Sequence, residues 1–209
     1  MRYGWKRDLF DDRNHKFDHL RALRAAQRGA AVLPASVDLR PLMPPVYDQG
    51  DIGSCTANAL AGAVQYMRRR CGQAPDWVPS RMMIYFYERA MRGVIDRDDG
   101  AYLRDGATML AKQGVCPESF WPYVPQPPQP DGTWPTGSVP TTWPDANAVA
   151  AAASYQVRSY ERVTQDLDAM RATLAAGFPF VFGFTVYNSL YDAVGLPRVH
   201  VPMPTARRA

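Results

Sequence analysis

Pro45-Val-Tyr-Asp-Gln-Gly-Asp-Ile-Gly-Ser-Cys-Thr-Ala-Asn-Ala-Leu-Ala-Gly-Ala-Val-Gln-Tyr-Met67 reads as a glycine-containing turn that runs directly into a helix. Ala57, Leu60, Ala61 and Val64 recur at spacings of three and four, which gives the helix one buried face. Cys55 falls where the turn becomes the helix, with Ser54 at the N-cap position. The first-turn N–H groups of a helix lack partners within it and point outward. A sulfur anion there is stabilised, so the thiol is expected to have a lowered pKa. Gln49, in the constrained turn, is placed to reach back with its amide toward any carbonyl that Cys55 attacks. Cysteines at helix starts are commonly buried and inert. Here Gly50, Gly53 and Ser54 leave room above the sulfur, and with the upstream amide they favour a nucleophile.

The string Asp48-Gln-Gly-x-x-Gly-Ser-Cys-Thr-Ala-Asn-Ala59 resembles the nucleophile segment of papain-like cysteine peptidases. It is closer to their short bacterial and archaeal members than to the plant and lysosomal ones, in which tryptophan usually follows the cysteine. Thr56 stands there in this chain. Leu33-Pro-Ala-Ser-Val-Asp-Leu-Arg40 resembles the start of the mature domain, and Gln113-Gly-Val-Cys-Pro-Glu-Ser-Phe-Trp-Pro-Tyr123 the segment that closes the helical lobe. The resemblance implies an α+β fold of two lobes, a helical N-terminal lobe and a β-barrel-like C-terminal one. It implies Cys55 as nucleophile, and Gln49 with the Cys55 backbone N–H as oxyanion donors. It also implies a peptide or protein substrate and no cofactor. Gly53, Ser54, Asp99, Gly100 and Ala101 are the candidate walls of the substrate cleft, Gly100 because it lets a peptide backbone approach closely. Secreted members bridge a cysteine three residues before the nucleophile; that position is Ile52, so this bridge is absent.

A length of 209 residues suits one domain or two lobes sharing a core, and a hydrophobic share of 46% is that of a globular chain. Nineteen prolines predict much loop and extended backbone. The net charge of +4 includes no long basic run. Arg68-Arg69-Arg70 reads as a solvated helix end set favourably against its dipole, not as a nucleic-acid patch. No segment approaches the roughly 20 apolar residues that span a bilayer. The N-terminus lacks the hydrophobic region of a signal peptide, so cytoplasmic residence is the default expectation, with secretion by another signal left open. Of the three cysteines, Cys71 and Cys116 have the option of pairing, although nothing in the composition calls for a staple.

Along the chain, residues 1–32 read as an N-terminal extension, either a propeptide-like cover or a packed collar, with a short helix from Asp18 to Arg28 carrying Leu20 and Leu23 on one side. His15 and His19 have i, i+4 spacing but no further ligand nearby, so they read as surface histidines. Residues 33–123 form the helical lobe, with helices over 54–70, from Ser80 to Met91 and over about 104–113. Met82, Met83, Phe86 and Met91 read as core. The run Asp96 to Gly106 superficially suggests a calcium loop, but Ala101 and Ala107 occupy the required glycine and glutamate positions; no metal site is expected. Residues 124–148 form a Pro-rich connection and 149–209 a partial β lobe. In that lobe, 153–161 and 178–187 read as strands, and a helix capped by Thr164 runs through Leu174.

The general base is the open question. The family's Gly-Gly-His-Ala-Val and Asn-Ser-Trp-Gly strings do not occur, and Asn188-Ser189 is followed by Leu190. His200 lies 145 residues after Cys55, within the spacing of about 130–150 for papain-like enzymes, and is the candidate base, although its neighbours lack the family signature. The expectation is a second lobe that stops short of its central strands. Its exposed aromatic surface would then favour self-association. Three readings compete: a papain-like peptidase, a catalytically dead papain-like module that binds peptides, and an unrelated domain with a buried cysteine.

Overall fold

The computed structural model describes residues 3–9, 11, 14–26 and 32–187. His200, the Asn188-Ser189 turn and the end of the first predicted helix at Arg28 lie outside the described residues. The elements run β1 (Trp5–Lys6), α1 (His19–Ala26), α2 (Cys55–Arg70), α3 (Arg81–Ala90), β2 (Ala101–Tyr102), α4 (Leu103–Lys112), α5 (Ala146–Ala153) and α6 (Leu167–Ala175). β1 and β2 pair in parallel, Trp5 opposite Ala101 and Lys6 opposite Tyr102.

The core is the packed triangle of α2, α3 and α4. α2 presents Ala57 and Ala61, both fully buried, so α3 approaches closely and fills the interior with Met82, Ile84 and Phe86. α3 starts where the sequence predicts, because the Ser80 hydroxyl accepts the Met83 N–H at 3.1 Å. Met91 is 47% exposed, contrary to its reading as core, since α3 ends at Ala90 and Met91 lies in the turn that follows.

Arg81, at the first turn of α3, ties the helices to the loops around them. Its Nε and Nη2 donate to the two carboxylate oxygens of Glu118 at 3.0 and 2.9 Å. Its Nη1 donates to the Asp48 carbonyl at 2.9 Å and to Asn58 Oδ1 at 3.1 Å, and the guanidinium stacks 4.0 Å from the Tyr123 ring centre. One planar cation thereby joins α3, α2, the turn before Cys55 and the segment that closes the helical lobe.

The Pro-rich stretch is packed, not a free arm. The backbone of 132–134 pairs with that of 96–98, Trp134 is 4% exposed against Tyr85, and the Pro140 carbonyl accepts from the buried Arg89. The strand expected over 153–161 is absent: α5 ends at Ala153 and a turn follows. The run Ala146 to Ala153 is an alanine-rich helix capped by Asp145, whose Oδ1 accepts the Ala148 N–H at 2.8 Å. α6 is capped by Asp166 rather than Thr164. Residues 178–186 belong to no helix or ladder among the described residues. Instead of forming a buried core strand, they leave Phe182 63% and Phe184 50% exposed, with ring centres 5.9 Å apart and the rings tilted by 38°. Cys55, Cys71 and Cys116 are all free thiols, so Cys71 and Cys116 do not pair.

Arg81→Ala should lower the free energy of unfolding by about 2–3 kcal/mol, since it leaves a largely buried carboxylate uncompensated. Urea denaturation of the two proteins measures this.

Candidate active site

Cys55 opens α2, and three side chains fix the turn before it. Tyr123 donates from its hydroxyl to the Gln49 carbonyl at 2.9 Å and also meets the Ser54 hydroxyl. Asn58 Nδ2 donates to the Ser54 carbonyl and hydroxyl at 3.0 and 3.1 Å. Asp98 accepts the Gly53 N–H with both oxygens, at 2.8 and 3.1 Å. Ser54 sits at the N-cap position but its side chain makes no capping bond, and the residue is fully buried. Its hydroxyl instead meets Tyr123 and accepts from Asn58. Behind the first turn of α2, Thr56 donates to the buried carboxyl of Glu88 at 2.8 Å. Burial pushes Glu88 well above the usual carboxylate range. The Gln49 amide donates to the Ile52 carbonyl at 3.0 Å, across its own turn. The amide carries a second N–H beyond that bond.

The groove beside Cys55 is occupied by the chain's own N-terminal segment. The Ala101 N–H donates to the Gly4 carbonyl at 2.7 Å, extending the short β1–β2 pairing. A Cβ on Gly4 would sit 1.7 Å from the Gly53 carbonyl oxygen, and one on Gly100, whose φ is +67°, would sit 2.1 Å from the Gly4 oxygen. Of the residues read as cleft wall, Gly53, Gly100 and Ala101 are therefore brought together around a peptide backbone. Asp99 is at the rim, where its exposed carboxylate pairs with Lys6. The Trp5 indole lies on Gly183, where any side chain would overlap the ring. Further along, Arg104 on α4 holds the segment through Asp8, the Leu9 carbonyl and Asp11. The Phe17 N–H donates to the Arg162 carbonyl, and the Arg162 N–H to the His15 carbonyl.

The cover changes the chemistry of the sulfur. The Cys55 thiol is pushed up from its ordinary value, not down as the helix end alone predicts. Burial is the largest influence, and the backbone N–H groups of Gly4, Thr56 and Trp5 offset part of it. The groups that the covering segment turns toward the sulfur are N–H donors, which offer no electrophilic carbon. A thiol covered in this way is protected without being consumed. Among the described residues no cluster of three or more His, Cys, Asp or Glu is placed to hold a metal, and no helix is long and apolar enough to cross a membrane.

The crystal structure of xylellain, a cysteine protease from Xylella fastidiosa, superposes on this chain with a TM-score of 0.85 at 44% identity, covering 97% of this chain and 73% of that one. This chain belongs to the papain-like cysteine peptidase family. By fold it is a two-lobed α+β papain-like peptidase, and among the described residues its one sheet is the β1–β2 pair. An uncharacterized peptidase C1-like protein of Acanthamoeba polyphaga mimivirus is 33% identical over 149 residues, 68% of this chain. The chain spans 44% of the length of that curated relative. A digestive procathepsin L 3 from Tenebrio molitor larval midgut shares the fold at 19% identity, with a TM-score of 0.51 over 77% of this chain. No family model matches the sequence.

Asp98 and Glu88 stand beside the turn and the first turn of α2 with no local sequence signal for those contacts. Gly4 and Trp5 stand in the Tyr3-Gly-Trp5 opening, and only a three-dimensional contact reveals that this motif docks on Gly53 and Gly100. Gly4→Ala should eject the segment: overpacking of that size costs about 1–3 kcal/mol, and each 1.4 kcal/mol is about tenfold in the covered-to-open ratio. The rate of Cys55 alkylation by iodoacetamide should rise accordingly, read by mass spectrometry against Cys71 in the same molecule.

Proposed function

We propose that the chain is a cysteine-type peptidase that hydrolyses peptide bonds through a thioacyl intermediate on Cys55. Gln49 and the Cys55 backbone N–H serve as oxyanion donors and His200 as general base. The observation that carries this reading is the peptide backbone of residues 3–6 laid across the sulfur and bonded to Ala101, because a groove that holds this segment has the width and donors to hold a substrate. Thr56 and Ile52, at the two positions where secreted relatives carry tryptophan and cysteine, support placement among the short bacterial and archaeal members.

In this reading a substrate displaces residues 3–6. His200 takes the Cys55 thiol proton as the sulfur attacks the scissile carbonyl carbon, and the carbonyl oxygen becomes an anion held by the Gln49 amide and the Cys55 N–H. Collapse of the tetrahedral adduct breaks the C–N bond, and the imidazolium of the base gives its proton to the leaving amine. Water, deprotonated by the same imidazole, then attacks the thioester and releases the acid and the thiol. The place that Trp5 takes on Gly183 favours substrates with a large aromatic side chain there.

A second reading, a peptide-binding module without turnover, draws support from the raised Cys55 thiol. A peptidyl epoxide and a fluorogenic peptide separate the two. Labelling at Cys55 together with turnover supports the peptidase, and binding without turnover supports the module. Failure of both returns the chain to the class of domains with an inert buried cysteine. For the peptidase, Cys55→Ala should abolish turnover, and Gln49→Ala should lower kcat by about a hundredfold, the usual cost of one oxyanion donor, with KM little changed.

A further inference from the structure

Asp98 lies 45 residues beyond Gly53, in the loop between α3 and β2, yet its carboxylate receives the Gly53 N–H with both oxygens, at 2.8 and 3.1 Å. The same carboxylate receives the Tyr85 hydroxyl from α3. Tyr85 is well suited to donate, because burial and the neighbouring Asp98 charge push its phenol far above its ordinary value and keep it protonated. Gly53 has no spare room: a Cβ there would lie 3.0 Å from Asp98 Oδ1 on one side and 3.3 Å from the Gly4 Cα on the other. The loop that carries Asp98 is itself fastened. The Asp98 N–H donates to the Gly132 carbonyl at 2.8 Å, the Trp134 N–H donates to the Asp96 carbonyl at 2.8 Å, and Arg89 donates to the carbonyls of Ile95 and Arg97. Two residues after Asp98, Gly100 and Ala101 form the wall that receives a peptide backbone.

We propose that Asp98 is a positioning residue for the nucleophile: by gripping the Gly53 N–H it fixes the turn before Cys55 in register with the groove wall at Gly100–Ala101. The need for such a grip is visible in the turn. The Ser54 side chain gives α2 no cap, and the bonds from Asn58 and Tyr123 hold Ser54 and Gln49 but not the Gly53 N–H. A carboxylate anchored on Tyr85 and on the 132–134 backbone supplies the reference instead. It sets the distance between the sulfur and the place where the scissile carbonyl lies along the wall. A misplacement of about 1 Å between nucleophile and carbonyl costs on the order of a hundredfold in rate, so a grip on the turn acts on kcat. Asp98 touches neither substrate nor sulfur in this account; it acts through Gly53.

The proposal rests on the peptidase reading for its kinetic consequence, and the test separates the two. Full-length wild type, Asp98→Ala and Asp98→Asn are compared by amide hydrogen exchange at Gly53, by Cys55 alkylation, and by kcat and KM per thiol titrated with a peptidyl epoxide. Asp98→Ala should speed Gly53 exchange and Cys55 alkylation, because the turn and the Gly4 contact loosen together. It should lower kcat per titrated site by on the order of tenfold to a hundredfold with little change in KM. Asp98→Asn keeps an oxygen acceptor for the Gly53 N–H and should restore most of each property, a rescue that loss of a charge or general instability would not produce. Unchanged Gly53 exchange in Asp98→Ala overturns the proposal. So does faster exchange with unaltered alkylation and kcat. If wild type itself fails to turn over peptide, the peptidase reading fails, and the exchange and alkylation results still decide whether Asp98 positions the thiol.

Discussion

Three glycines from distant parts of the chain meet at one point with no space for a single Cβ between them. Gly4 presses on the Gly53 carbonyl, Gly100 presses on the Gly4 carbonyl, and the Ala101 N–H closes the contact by donating to Gly4. Each approach is possible only because backbone meets backbone directly. That contact determines what the thiol at the start of α2 experiences. It brings the N–H groups of Gly4 and Trp5 to the sulfur, leaves the thiol partly buried, and spans the groove between the turn and the wall. The indole of Trp5 on Gly183 repeats the arrangement one residue along, again with a glycine where a side chain would clash.

The electrostatics of the site follow from this cover. A helix end and nearby N–H donors favour a thiolate, while burial disfavours it, and burial is the larger influence. The Glu88 carboxyl, which receives the Thr56 hydroxyl, adds to the upward push on the thiol and is itself moved well above the usual carboxylate range by burial. The positive groups near the turn are engaged elsewhere: Arg81 is held by Glu118 and by the Asp48 carbonyl. The resting state is thus a protonated thiol under a peptide that presents it with no electrophile. Such a site is chemically quiet until the segment leaves.

The helices of the first lobe were legible because their signals are local. Ser80 caps α3, the three-and-four spacing of Ala57, Leu60 and Ala61 marks α2, and Gly114 follows the end of α4. The turn before Cys55 was legible for the same reason, as a short string in which glycines, an amide and a cysteine stand close together. What was not legible depends on contacts across the chain. Nothing in the sequence says that Gly4 rests on Gly53, or that Asp98 holds a backbone N–H 45 residues away. The alternation over 155–160 looked like a strand, but alternation predicts pairing only where a partner strand exists, and here the run is a loop behind α5. The Pro-rich stretch looked like a connection because proline excludes helices; its packing comes from Trp134 and Pro140, single residues that a compositional reading averages away.

The account turns on residues 3–6 lying in the groove in solution, and amide exchange at Ala101 reports this directly, since its N–H donates to the Gly4 carbonyl. The intact protein should protect that amide to a degree comparable with the interior of α3. Exchange at Ala101 as fast as in an unstructured peptide, with α3 still protected, would contradict the account, because it would mean that the groove stands open and the sulfur is not covered.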